Sequence, residues 1–291
     1  MRIKRNKKIA VILTTTVVVI AAFFALSITA SAKDFKYDFG EGAAPVNIKL
    51  DGRSVLEGEA AIMNSVTYVP LRSFSELCGA RSVSWDPKTQ TATVKKYNMT
   101  AKISENKNYV EASGRYFYLS NEVKNINDRL FIPVRIASNL FCLDVEWNES
   151  DRTVVLKSTN KPFVSGDDYY DKNDLYWLSR IISAESSGEP LLGKIAVGNV
   201  VINRKDSKNY PNTIYGVIFD RKYGTQFSPV AIGTIYNTPT AESVVAAKIC
   251  LEGYSVSHSV LFFMNPRTAT NNWIANTRPF AFKIGNHYFY N

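Results

Sequence analysis

Apolar and polar positions follow two different rhythms along this chain. In residues 174–191 the rhythm is helical. Leu175, Leu178 and Ile181 or Ile182 recur every three or four residues, and Glu185 falls on the next position of the same stripe. That spacing predicts an amphipathic helix, with Asp174 as its N-cap and Gly188 as its end. Pro190 suits the first turn of a second helix, running through LLGKIAVGNVVINR. Glu185 therefore continues an apolar face. Partial burial disfavours its charged form, and so does the carbonyl end of its own helix. Both effects raise its proton affinity, which a general acid needs near neutral pH. The plain alternative is a half-solvated Glu at a helix end.

The first half alternates with a period of two and contains an internal repeat. TYVPLRSFSELCGARSVSWDPKTQTATVKK starts at Thr67, and LFIPVRIASNLFCLDVEWNESDRTVVLKS starts at Leu130. Pro70 and Arg72 match Pro133 and Arg135, Leu77 matches Leu140, and Trp85 matches Trp147 one residue out of step. Each unit reads as strand, Pro, short helix, strand, polar turn, strand. Trp85 and Trp147 are expected to pack a small core, with sugar stacking as the alternative. Residues 33–46 read as a poorly ordered lead-in. The polar stretch 159–173, with its Pro, Ser and Gly, has the composition of a linker. Residues 174–291 turn towards helices.

Composition adds constraints at the N-terminus. The chain has 291 residues, 45% hydrophobic and 21% charged, with room for one or two domains. Residues 1–32 have the basic, apolar, small-residue order of a secretory signal ending at Ala30-Ser31-Ala32, with an uncleaved anchor as the alternative. The chain is thus expected to be exported. Arg2, Lys4, Arg5, Lys7 and Lys8 in that leader account for five of the net +9, leaving +4. A mildly basic protein favours an anionic wall or membrane surface, and no nucleic-acid motif is present. Cys78, Cys142 and Cys250 fit no zinc or redox spacing. They read as small buried hydrophobes, with a Cys78–Cys142 disulfide as the alternative. The two histidines, His258 and His287, lie in no HExxH-like pattern, which disfavours a metal-dependent peptidase or amidase.

The remaining segments of the second half are dense in Tyr, Phe and Asn, a surface suited to sugars. Asn203, Gln226, Ser228 and Asn265 are the candidates to line a groove and bond sugar amides. Glu189, next to the first turn of the second helix, would stay ionised there and either cap the helix or hold substrate. The acids Glu242 and Glu252 read as solvated-face residues.

In order, AESSGEP, GKIAVGNVVINR, YPNTIYGVIF, QFSPV, NPRTATNNW and IGNHYFY resemble the cell-wall hydrolase family of the spore cortex-lytic type, over about residues 174–291. The V-P-L-R and W-D/N hallmarks of residues 46–158 resemble the copper-amine-oxidase N-terminal-like domain, here without His and read as a wall-facing or spacer module. The resemblances imply an α+β chain of two domains: a repeat-built small α/β module, and a lysozyme-like, mainly helical catalytic domain acting on peptidoglycan glycan strands. Glu185 takes the place of the family's catalytic Glu, while Ser187 replaces its usual Arg. A lone acid fits a lytic transglycosylase, in which the substrate supplies the nucleophile. Hydrolytic muramidase action and non-catalytic peptidoglycan binding are the alternatives. The reading calls for a monomer, no cofactor and no metal.

Overall fold

The computed structural model describes residues 35–222, 224–269 and 271–291. The expected leader, residues 1–32, lies outside them.

The repeat builds the first half as read. Strand Val66–Pro70 runs into helix α1 (Leu71–Leu77), then into the hairpin Ser82–Asp86/Thr91–Lys96. Strand Arg129–Pro133 runs into α2 (Val134–Phe141), then into the hairpin Leu143–Asn148/Thr153–Ser158. Pro70 and Pro133 sit at the helix N-caps, where no N–H is needed. The two leading strands pair antiparallel, Phe131 opposite Pro70 and Pro133 opposite Tyr68. Exchanging the units maps each pair onto the other, so the repeats are related by a local two-fold axis between Val69 and Ile132. Each hairpin lies in its own sheet, one of five strands and one of four, and the leading strands form the centre of a third. The module is therefore richer in sheet than the expected α/β unit, because its helices last only two turns.

Two expectations fail here. Trp85 and Trp147 are 42% and 41% exposed; the core is filled instead by residues such as Phe74, Ile103 and Leu140. The lead-in is ordered from Phe35 onward, because Phe39 and Tyr37 pack edge-on against Phe131. All three cysteines are free. Cys250 is buried, while Cys78 and Cys142 are only half-buried.

The second half is helical with one small sheet. Helices α3 (Gly166–Tyr169), α4 (Lys172–Ser186), α5 (Leu191–Asp206), α6 (Ile214–Ile218), α7 (Ser228–Ile232) and α8 (Ala241–Leu251) precede strand Phe262–Met264, short helix α9 (Trp273–Thr277) and a closing hairpin, Phe280–Ile284/His287–Tyr290. Leu178, Ile181 and Ile182 of α4 are fully buried against Ile195 and Val201 of α5 and Ala246, Ala247 and Ile249 of α8. The N-cap of α4 is Asp171, three residues earlier than expected; its carboxylate accepts from the N–H groups of Asn173 and Asp174, each at 2.9 Å.

The stretch 159–173 bonds and packs against both halves. Phe163 is buried in the core of the first half, and Gly166 donates to the Ser113 carbonyl at 2.9 Å. A Cβ on Gly166 would lie 2.4 Å from the Gly114 oxygen, so only glycine fits. Beside it, Arg115 makes a two-pronged pair with Glu252 at 2.8 and 2.6 Å, and Tyr170 donates to the same carboxylate at 2.6 Å. The Arg115 guanidinium also lies 3.6 Å from the Tyr169 ring centre. Lys248 donates to the Gly114 carbonyl at 2.9 Å. Glu252, expected on a solvated face, has a side chain only 5% exposed. Its partner lies 137 residues away in sequence.

Removing one member of a buried pair leaves an uncompensated charge and typically costs about 3–5 kcal/mol. Arg115→Ala should therefore uncouple the halves. Calorimetry is expected to show one cooperative transition for the parent and two separated transitions for the variant. A single, unshifted transition in Arg115→Ala would show that the pair does not hold the junction.

Candidate active site

Glu185 sits in the last turn of α4, where the stripe reaches the end of the packed core. It lines an open cleft of about 530 Å³. Arg180, Ser183 and Ser187 share its wall; α7 contributes Ser228 and Pro229, and the turn that follows contributes Thr234 and Asn237. The Thr240 N–H donates to Ser183 Oγ at 3.1 Å, joining the two walls. Burial pushes the Glu185 carboxyl up to about 7, only partly opposed by the positive charge of Arg204. The acid thus keeps its proton to much higher pH than an ordinary carboxylate. Among the described carboxylates Asp174 is also raised, by burial and by neighbouring Asp171, but it sits at the opposite end of α4.

Helix α4 ends at Ser186, before Gly188. Gly188 is not in the left-handed region; the Glu189 N–H closes the turn on the Ser186 carbonyl at 2.9 Å. The chain then turns back so that Glu189 is buried. Its carboxylate accepts from the Asn286 N–H at 2.9 Å and from Asn286 Nδ2 at 3.0 Å. Burial works against this charge, but the Asn286 bonds outweigh it and hold the group below the usual carboxylate range. Gly285 takes a positive φ of 57°, and a Cβ there would lie 1.8 Å from Glu189 Oε2. Glu189 is thus a clasp between the start of α5 and the closing hairpin. It does not line the cleft with Glu185.

The amides hold backbone. Asn203 Nδ2 donates to the Ser257 and Val260 carbonyls, both at 2.9 Å. One turn earlier, Asn199 donates to the Tyr254 carbonyl at 3.0 Å and accepts from the Val256 N–H at 2.9 Å. Together they clamp the loop after α8 onto α5. Gln226 Nε2 donates to the Gly224 carbonyl at 3.1 Å, shaping the turn ahead of Ser228. Asn265 accepts from the Arg267 N–H at 3.0 Å within its own turn. Of the sequence-derived candidates, Glu185 and Ser228 meet in the cleft, and the others brace segments around it.

Arg204 was missed. It is 5% exposed, donates from Nε to the Leu261 carbonyl at 2.7 Å, and lies within 5.4 Å of the ring centres of Tyr210, Phe227 and Phe262. Its Nη1 is buried without a hydrogen-bond partner. The signal was there: Val197, Val200 or Val201, and Arg204 continue the stripe of α5 as Glu185 continues that of α4. A half-buried acid within the electrostatic reach of a buried cation is poised to lose a proton and to take it back.

Residues 188–290 match the family described as Cell Wall Hydrolase, and residues 49–156 match the Copper amine oxidase N-terminal domain. The first match begins three residues after Glu185. The Spore cortex-lytic enzyme of Bacillus cereus is 40% identical over 133 residues, 46% of this chain and 48% of that protein. The one from Bacillus subtilis is 36% identical over 120 residues, 41% of this chain and 38% of that protein. The chain thus spans about half the length, or less, of the curated relatives it matches. Among solved structures, the catalytic domain of the germination-specific lytic transglycosylase SleB from Bacillus anthracis is 40% identical, covering 42% of this chain and 97% of that one, with a TM-score of 0.39. The second half is thus similar to cell wall hydrolases, and the first to the copper amine oxidase N-terminal domain.

Glu189→Gln retains the shape of the clasp but replaces charge-assisted bonds by neutral ones, an expected loss of about 1–2 kcal/mol at neutral pH. The folded-state affinity of Glu189 for a proton is depressed, so its contribution is present above the ordinary carboxylate range. It is lost as the pH falls through the depressed value. Denaturant titrations of both proteins should diverge at pH 7 and converge in acid. Divergence that persists in acid would point to a packing defect instead.

Proposed function

We propose that this protein degrades peptidoglycan in spore cortex or cell-wall remodelling, cutting the β-1,4 bond from N-acetylmuramic acid to N-acetylglucosamine as a lytic transglycosylase. The observation that carries the reading is one acid of near-neutral proton affinity in an open cleft without a second carboxylate on its walls. Among the described residues the other acids of the domain lie elsewhere: Glu189 is held by Asn286, Glu242 by Lys194 at 2.8 Å, Glu252 by Arg115, Asp206 by Lys205 and Asp220 by the Lys222 N–H at 2.9 Å, while Asp174 sits in the first turn of α4. Glycosidases that use water or form a covalent intermediate usually need two carboxylates at a set separation.

Protonated Glu185 gives its proton to the bridging oxygen, and the bond from that oxygen to the anomeric carbon breaks. The Glu185 carboxylate then takes the proton of the muramoyl 6-hydroxyl as that oxygen bonds the anomeric carbon. The product is a 1,6-anhydro end, no water is consumed, and the acid is regenerated. Arg204 stabilises the carboxylate between the two transfers. Ser228 bonds the strand, while Glu189, Asn203, Gln226 and Asn265 hold the segments that shape the groove. The similarity to spore cortex-lytic enzymes and to a germination-specific lytic transglycosylase supports the same chemistry. Such a substrate places the protein outside the cytoplasm, at the wall or spore envelope.

Glu185→Gln removes the transferable proton at nearly constant size. Since general acid–base help is worth about 10²–10⁴-fold, release of muropeptides from purified walls should fall by at least that range. In the parent, the rate should decline as the pH rises through about 7, where Glu185 loses its proton. Arg204→Met should move that decline to higher pH, because the carboxylate loses its only named counter-charge. Mass spectrometry should find anhydro ends; hydrated ends alone would favour the hydrolytic reading. An active Glu185→Gln protein would overturn the assignment. Stability carries the opposite sign from Glu189: a raised folded-state value means stability falls as pH rises from the ordinary carboxylate range through about 7. Glu185→Gln should therefore melt higher than the parent above neutral pH.

A further inference from the structure

The two-fold repeat makes two grooves of the same design outside the catalytic cleft. The first, about 320 Å³, is lined by Arg72, Trp85, Asn125 and Arg129, with the carboxylates of Glu105 and Asp128 on its rim. The second, about 760 Å³, is lined by Arg135, Trp147, Tyr118 and Tyr254, with Arg152 and the carboxylates of Glu146 and Glu149, the latter accepting from the Trp147 indole N–H. Arg72 corresponds to Arg135 and Trp85 to Trp147, so the same pair of side chains walls both. The indoles are 42% and 41% exposed, and both arginines are exposed. Arg135 has no ion-pair or hydrogen-bond partner among the described residues, and the one ion pair of Arg72 is a loose contact of 3.7 Å with Glu76, itself exposed.

We propose that these grooves are two carboxylate-bearing glycan sites. This deepens the wall-degrading reading above and rests on it for the identity of the strand. In each site the exposed indole stacks on the apolar face of a sugar ring, as large aromatic faces do with flat partners. The planar guanidinium pairs with a carboxylate carried by the strand or its attached peptide. A wall glycan supplies both groups at short intervals.

The second groove is shared between the halves. Tyr254 comes from the segment after α8, its ring centre lies 4.5 Å from that of Tyr118, and Ser120 Oγ approaches its hydroxyl at 3.4 Å. A strand held there touches both domains across the Arg115–Glu252 junction. Two sites on one chain engage a wall of many strands together, so their affinities reinforce each other.

The test uses the full chain carrying Glu185→Gln, so that strands survive, and cosedimentation with purified peptidoglycan stripped of secondary polymers. Trp85→Ala or Trp147→Ala should each weaken binding about tenfold, in the range of an aromatic anchor. The double variant should lose more than either. Trp→Phe at both positions should restore part of the loss, because a ring remains. Arg72→Gln with Arg135→Gln, on exposed positions that leave the fold intact, should weaken binding too; it decides the matter if the Trp double variant melts early. Parent-level binding by a folded Trp double variant overturns the proposal, as does a parent chain that stays in the supernatant. Binding is read with the acid silenced, so it stands or falls independently of whether Glu185 cuts.

Discussion

The burial of one face of α4 is the constraint on which the second half depends. Leu178, Ile181 and Ile182 pack against α5 and α8 with no exposed surface, and burial of that kind supplies most of the stability of a short helix. The same stripe carries Glu185 one turn further, to the edge of the core. There it is buried enough to resist ionisation, yet open enough to meet a ligand. The residues that fold the domain thus set the proton affinity of its acid. The parallel stripe of α5 brings in Arg204, whose charge keeps the acid from being locked in its neutral form.

A second layer of structure comes from charges placed far from the cleft. Glu189, Glu252 and Lys194 are all buried and all engaged: Glu189 holds the closing hairpin, Glu252 holds the first half through Arg115, and Lys194 reaches Glu242. Each ties elements distant in sequence, where an unpaired charge would be heavily penalised. These pairs leave Glu185 as the unclaimed carboxylate on the cleft walls. They also make the two halves one body, so that the orientation of the first half relative to the cleft is a property of the fold. In the first half, the axis between Val69 and Ile132 repeats one groove design, and the junction gives the second copy a wall from the catalytic half.

The sequence by itself determined what depends on neighbours within about a turn or a hairpin. The repeat, its strand–helix–hairpin order and the α4 stripe ending in Glu185 were all legible, because periodicity and turn residues act locally. Local signals misplaced the N-cap of α4 by three residues, since Asp171 and Asp174 offer the same short carboxylate. They were blind to partners across the chain. Glu252 looked solvated because its helix face is polar, yet Arg115 lies 137 residues away. Glu189 looked like a cap or a ligand, yet Asn286 lies 97 residues away. Asn203 looked like a sugar contact, and two backbone carbonyls more than 50 residues on take its amide. The polar composition of 159–173 resembled a linker because its hydrogen bonds to Ser113 and Glu252, and the burial of Phe163, exist only once both halves are folded. The indoles of Trp85 and Trp147 looked like core because Trp is bulky and apolar, but two-turn helices leave too little cover for them. Periodicity could say that a side chain faces inward; only the tertiary structure decided what it meets there, because burial and pairing are properties of surfaces brought together and not of the segments that carry them.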